Sequence, residues 1–237
     1  MKKTLLAIAL SSAFVSFTPA VSAESEIELS ANFGLVSDYR FRGVSQTNKE
    51  MAAQGGFDLA HKSGFYMGTW TSNVSDFANP NGNGLEIDAY LGYSTEVGGI
   101  GIDIGNLYYY YPANEASPNV DTNEVYLGLS VSAFTLKTSY ATSKYFGVAG
   151  SKGTIYYNLS GEFPVSDSTS ISAAIGYVDP KGGATKGYDY SVGVSTELNG
   201  FSLGASYITT SGDLSDTLSG TKEVAKGTVV VSISKSF

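Results

Sequence analysis

From residue 27 onward, apolar and polar side chains alternate along most of the chain. Ile27, Leu29, Ala31, Phe33 and Leu35 stand at every second position, and Leu85, Ile87, Ala89, Leu91 and Tyr93 repeat the pattern. Successive side chains of a strand point to opposite faces, so this alternation predicts strands with one apolar and one wet face. The same period recurs at about 51–60, 64–73, 100–111, 125–131, 134–142, 154–163, 170–178, 188–198, 201–209 and 228–236, which makes about twelve strands in all. Almost no segment has helical spacing, and each run has about the 9–11 residues that a tilted strand needs to cross a bilayer.

The connections alternate between short and long. Short ones fall at 61–64, 97–99, 132–133, 164–168 and 198–200; long ones, rich in Gly, Asn, Asp, Ser and Lys, fall at about 38–50, 74–83, 112–121, 143–153, 179–187 and 211–226. An even number of strands joined in this way predicts an all-β, up-and-down antiparallel transmembrane β-barrel of about 12 strands. Aromatic residues sort by end: Phe65, Phe134, Phe163, Phe201 and Phe237 by the short turns, and Tyr39, Tyr108, Tyr110, Tyr140, Tyr157, Tyr177, Tyr190 and Tyr207 toward the long loops. Two such bands are expected where rings sit at headgroup level. A secreted soluble β-sandwich shares the period-2 pattern, but it has no reason to separate Phe from Tyr.

The final strand carries Val229, Val231, Ile233 and Phe237 on one side. Ending on Phe, it resembles the last strand of bacterial outer-membrane barrels. Its expected partners are the strands at 201–209 and 27–35, and Phe237 is the residue expected to mark the chain for the barrel assembly machinery. Lys235 shares the lipid-facing parity, where a lysine near the interface can snorkel.

Met1-Lys2-Lys3, the apolar run Leu5 to Phe17 and Val21-Ser22-Ala23 have the order of a secretory signal peptide over residues 1–23, with the barrel over 24–237. Beyond the leader, 12 Lys and Arg face 22 Asp and Glu, a formal net of −10 that argues against nucleic acid as a partner. Charged residues are only 15% of the chain, against about 25% usually, and there is no Cys to support disulfide or thiolate chemistry.

By parity the wet face carries Glu28, Asp58, Glu86, Asp88, Asp103, Glu124, Glu162, Asp189 and Glu197, with Lys137 as the one clear interior base. Either these acids make a lumen that attracts cations, or they are solvated wall residues paired with loop bases. Barrels of about eight strands are filled by side chains and those of 16 to 18 hold aqueous channels, so about twelve should leave at most a narrow pore. Arg40, Arg42, Lys49, Lys144, Lys152, Lys181, Lys186, Lys222 and Lys226 lie in or beside long loops, where outer-membrane lipid phosphates are expected partners. His61 is the only His and sits in a short turn, so neither Ser-His-Asp hydrolysis nor a zinc site is supported. The pair Glu86 and Asp88 shares one face, but such wall acids are common. No enzyme, metal or cofactor is expected.

The segment Val36-Ser37-Asp38-Tyr39-Arg40-Phe41-Arg42-Gly43-Val44-Ser45-Gln46 resembles the N-terminal signature of the TorF family, small Gram-negative outer-membrane proteins described as porins. The resemblance implies the same fold and the cell outer membrane. Parity sends Arg40 and Arg42 inward with Asp38, and Gly43 permits a turn beside them. The two guanidiniums either form a constriction or binding site at the mouth, or pair with wall acids of the neighbouring strand and lock the first strand in register. The expectation is a porin-like channel for small hydrophilic solutes or ions with cation preference, its pore or mouth candidates being Asp38, Arg40, Arg42, Glu86, Asp88, Asp103, Glu124, Lys137 and Asp189. Its alternative is a structural or adhesion barrel with a plugged lumen that acts through its loops.

Overall fold

The alternation is realised as antiparallel sheet in the computed structural model, which describes residues 26–76, 78–80, 82–113, 119–213 and 222–237. The strands are β1 (Ile27–Val36), β2 (Arg40–Phe41), β3 (Val44–Ser45), β4 (Ala52–His61), β5 (Phe65–Asn73), β6 (Leu85–Val97), β7 (Ile100–Tyr110), β8 (Thr122–Val131), β9 (Phe134–Ala141), β10 (Ile155–Pro164), β11 (Thr169–Asp179), β12 (Gly187–Leu198), β13 (Phe201–Ser211) and β14 (Thr228–Ser236). All except β2 and β3 close into one barrel of 12 strands, each paired with its sequence neighbour. β14 lies between β13 and β1, and β1 pairs with β4 on its other side. Among the described residues, the sheet besides the barrel is the two-stranded β2–β3 pair, too small to form the second layer of a sandwich. The expected leader at 1–23 lies outside the described residues.

Turn chemistry fixes the register at the short-turn end. Leu198 pairs with Phe201 across Asn199 and Gly200, whose φ values of +52° and +76° are both left-handed, as a type I′ hairpin turn requires. That register turns apolar side chains outward: Leu29 is 71% exposed, Phe57 65% and Val229 62%, an outer face suited to lipid rather than water. Both aromatic bands form. Phe134 and Phe163 meet edge to face at 5.6 Å, and Tyr157, Tyr177, Tyr188 and Tyr190 run in sequence at 6.5, 4.8 and 6.4 Å between ring centroids. Lys235 Nζ sits 5.0 Å from the Phe201 ring and 5.4 Å from that of Phe237, a cation–π seat within the Phe band.

The inner wall is lopsided. On the β5–β8 side, Tyr66 pairs with Gly92, Tyr90 with Gly68 and Tyr126 with Gly105. A methyl on Gly105 would stand 2.4 Å from Tyr126 Oη and 2.6 Å from the Leu91 carbonyl, so the ring lies flat across a position only glycine leaves open. On the opposite wall the inward residues are small: Ser172 and Ala174 on β11, Ser191, Gly193 and Ser195 on β12, Gly204 and Ser206 on β13, Ser232 and Ser234 on β14.

One expected loop is not outside. Composition puts segment 38–50 among the external loops, with Tyr39 in the outer Tyr band and Arg40 and Arg42 near lipid phosphate; instead residues 38–47 are buried within the barrel, and Arg40 and Arg42 turn inward with Asp38 as parity indicates. Tyr39, Phe41 and Val44 explain the inward fold, because outside the barrel they would be exposed to water, whereas inside they are buried.

The register makes closure testable in a chain that has no cysteine of its own. Val36 faces Ser232 across the β1–β14 seam. The pair Val36→Cys with Ser232→Cys should cross-link under mild oxidation and change gel mobility, whereas Leu35→Cys with Ser232→Cys, on opposite faces, should not. Equal cross-linking of the two pairs would contradict this register.

Candidate functional site

β2 and β3 form a short hairpin in which Arg40 pairs with Ser45 and Phe41 with Val44. Arg42 and Gly43 make its turn with φ of +47° and +80°. This is again the type I′ geometry, in which Asn-Gly is favoured and an arginine is strained by about 1 kcal/mol. Arg42 must therefore be held from outside the turn. Its Nη2 donates to Glu124 Oε2 on β8 at 2.7 Å and its Nη1 to Tyr145 Oη at 2.9 Å. The Tyr156 ring lies 4.1 Å from the guanidinium carbon. Arginine is not deprotonated in proteins, so the buried guanidinium keeps its charge and depends on the Glu124 carboxylate beside it.

The rest of the hairpin is tied to other strands. Asp38 accepts from Arg40 Nε at 2.7 Å and from Ser45 Oγ at 2.5 Å, while Arg40 Nη1 donates to the carbonyls of Gly43 and Lys226, both at 2.9 Å. Tyr39 donates to Glu86 Oε1 at 3.3 Å and meets Trp70 edge to face at 5.3 Å. Phe41 packs edge to face on Tyr109 and on Phe146 from the turn after β9. At the tip, a methyl on Gly43 would be 2.5 Å from Thr210 and 2.8 Å from Asp189, so the turn abuts the β12–β13 wall. The hairpin thus crosses the lumen from β1 and β4 to the far side.

The structure brings Asp38, Arg40, Arg42, Glu86, Asp88, Glu124 and Asp189 into this one layer. Of the two alternatives for the arginines, pairing with a wall acid is found for Arg42, but on β8 rather than on either neighbour of β1; Arg40 pairs within the hairpin. Asp103 and Lys137 stand apart, nearer the short-turn end: Asp103 accepts from Tyr66 at 2.5 Å, and Lys137 Nζ is 3.7 Å from the Tyr126 ring. Acids outnumber bases in the layer. Among the described residues, Glu86 Oε2, Asp88 Oδ1 and Glu124 Oε1 are buried with no hydrogen-bond donor, and Arg40 Nη2 and Arg42 Nε are buried with no acceptor. Also among the described residues, no group of three His, Cys, Asp or Glu side chains is placed to hold a metal ion.

Sequence reasoning passed over the inward tyrosines: Tyr66, Tyr90, Tyr109, Tyr126 and Tyr156. The signal was present, since each has the inner parity and several face a glycine one strand away.

The chain belongs to the Gcw_chp family, described as bacterial protein of unknown function, whose model matches residues 20–237, the hairpin included. No curated protein matches it in sequence. Among solved structures, the KdgM porin is similar with a TM-score of 0.56 at 11% identity, over 88% of this chain and 99% of that one. The KdgM porin in complex with disordered oligogalacturonate gives 0.56 at 10% identity, with 88% and 99% covered. The NanC porin gives 0.52 at 6% identity, over 87% of this chain and 98% of that one. These likenesses establish an outer-membrane porin-like fold.

Arg40 and Arg42 are 4% and 2% exposed, so trypsin should leave the bonds after them intact in the folded barrel. Glu124→Gln leaves Arg42 buried without its counter-ion, at a cost of about 3 kcal/mol, and should speed cleavage at those two bonds about 100-fold while the barrel stays folded. Unchanged cleavage would mean that the ion pair does not hold the hairpin.

Proposed function

We propose that this chain is an outer-membrane channel that passes small hydrophilic solutes or ions passively, prefers cations, and uses the β2–β3 hairpin as its constriction. The observation that carries the reading is the difference between the two inner walls. Ser172, Ala174, Ser191, Gly193, Ser195, Gly204, Ser232 and Ser234 face inward yet are partly exposed, whereas Glu86, Asp88, Tyr109 and Glu124 are fully buried beneath the hairpin. Solvent therefore enters along the Ser and Gly wall, and a solute would follow it past the hairpin tip. The excess of carboxylates favours cations there. The porin-like fold supports transport, as does the resemblance of residues 36–46 to the TorF porins.

The same reading places the Phe and Tyr bands against outer-membrane lipids and assigns Phe237 to recognition by the barrel assembly machinery. A second reading, a plugged barrel that acts through its loops, draws on one observation: the hairpin crosses the whole lumen and is tied on both sides.

Planar bilayers separate the two. The channel reading expects stepwise conductance with a cation-preferring reversal potential, larger steps for Glu124→Gln, and weaker cation preference for Asp58→Asn combined with Asp103→Asn. Silence from both the wild-type protein and Glu124→Gln would favour the plugged barrel.

A further inference from the structure

The constriction leaves one built surface of the lumen unused. Tyr66 lies across Gly92, Tyr90 across Gly68 and Tyr126 across Gly105, each hydroxyl 2.4–2.6 Å from where a methyl on that glycine would stand. One face of each ring is thus seated on the wall and the other turns toward the axis. Asp58 accepts from Tyr90, Asp103 accepts from Tyr66, and the hydroxyls of Tyr66 and Tyr126 are hydrogen-bonded to each other. Three rings and two carboxylates therefore make a continuous floor across β4 to β8. Tyr66 and Tyr90 are partly exposed.

The protein itself shows what this floor holds. Lys137 Nζ, reaching from β9, lies 3.7 Å from the centre of the Tyr126 ring. Because the other face of that ring rests on Gly105, the ammonium occupies the lumen side. A cation over an electron-rich ring with carboxylates at its edge is stabilised by both the ring quadrupole and the charges. Tyr90 and Tyr66 extend the same arrangement, with Asp58 and Asp103 in the place of counter-ions.

We infer that the floor formed by Tyr66, Tyr90, Tyr126, Asp58 and Asp103 is a binding site for alkylammonium groups of solutes in the lumen. The inference rests on the channel reading only for how the solute arrives. Flat tyrosine faces also suit sugar rings, but the resident Lys137 ammonium and the paired acids favour a cation.

Calorimetric titration of the folded, detergent-solubilised barrel tests the inference without requiring flux. Tetramethylammonium and 1,4-diaminobutane should bind saturably, whereas tert-butyl alcohol, of similar shape but uncharged, should not. Tyr90→Leu should weaken binding about tenfold and Tyr90→Phe much less, since the ring rather than the hydroxyl faces the cation. Lys137→Met should strengthen binding, because it vacates the face of Tyr126; a purely structural floor would show no such gain. Equal heats for tetramethylammonium and tert-butyl alcohol, or saturable binding of maltose without binding of either amine, would overturn the inference, and these wild-type titrations decide it even where a variant does not fold. Conductance without ammonium binding would overturn this inference alone; binding with a silent bilayer would overturn only the channel reading.

Discussion

A backbone amide in hydrocarbon has no water to turn to, and each unmatched group costs several kcal/mol, so a sheet that crosses a bilayer must pair both of its edges. The β1–β14 seam is where this chain meets that demand. Closure then divides every strand into a lipid face and a lumen face. With 12 strands the ring is wider than side chains of ordinary size need fill, so its interior must be occupied by something or admit water. The remaining features answer that second demand: tyrosines flat on glycines along one wall, small residues along the other, and a hairpin laid between them.

The hairpin is held by an exchange of strain for charge. Arg42 occupies a left-handed position better suited to asparagine, and its guanidinium would be costly to bury alone. Glu124, Tyr145 and Tyr156 meet both costs at once. Glu124 lies on a strand that does not touch β1, so the hairpin's place depends on the closed barrel.

Much of this was legible in the residues. Period-2 alternation and turn pairs such as Asn199-Gly200 specify strands and register almost by themselves, because one face must be apolar and a slip would invert it. Phe65, Phe134 and Phe163 marked one rim for the same reason. What alternation cannot say is where a polar connection goes. Residues 38–50 read as a surface loop by composition, and only the spacing of Tyr39, Phe41 and Val44 hinted that it had something to bury. The pairing of Arg42 with Glu124 spans 82 residues and depends on barrel curvature, so no local pattern encodes it. The inward tyrosines were hidden by their outward counterparts, since Tyr108 and Tyr109 differ only in parity.

Single-cysteine labelling tests most directly whether water reaches the lumen along the Ser and Gly wall and not beneath the hairpin. In the folded barrel, Ser172→Cys and Ser195→Cys should react readily with a small charged thiol reagent, while Leu107→Cys and Thr122→Cys should stay protected. Equal labelling of all four, or protection of the serine positions with reaction at Leu107 and Thr122, would contradict the account.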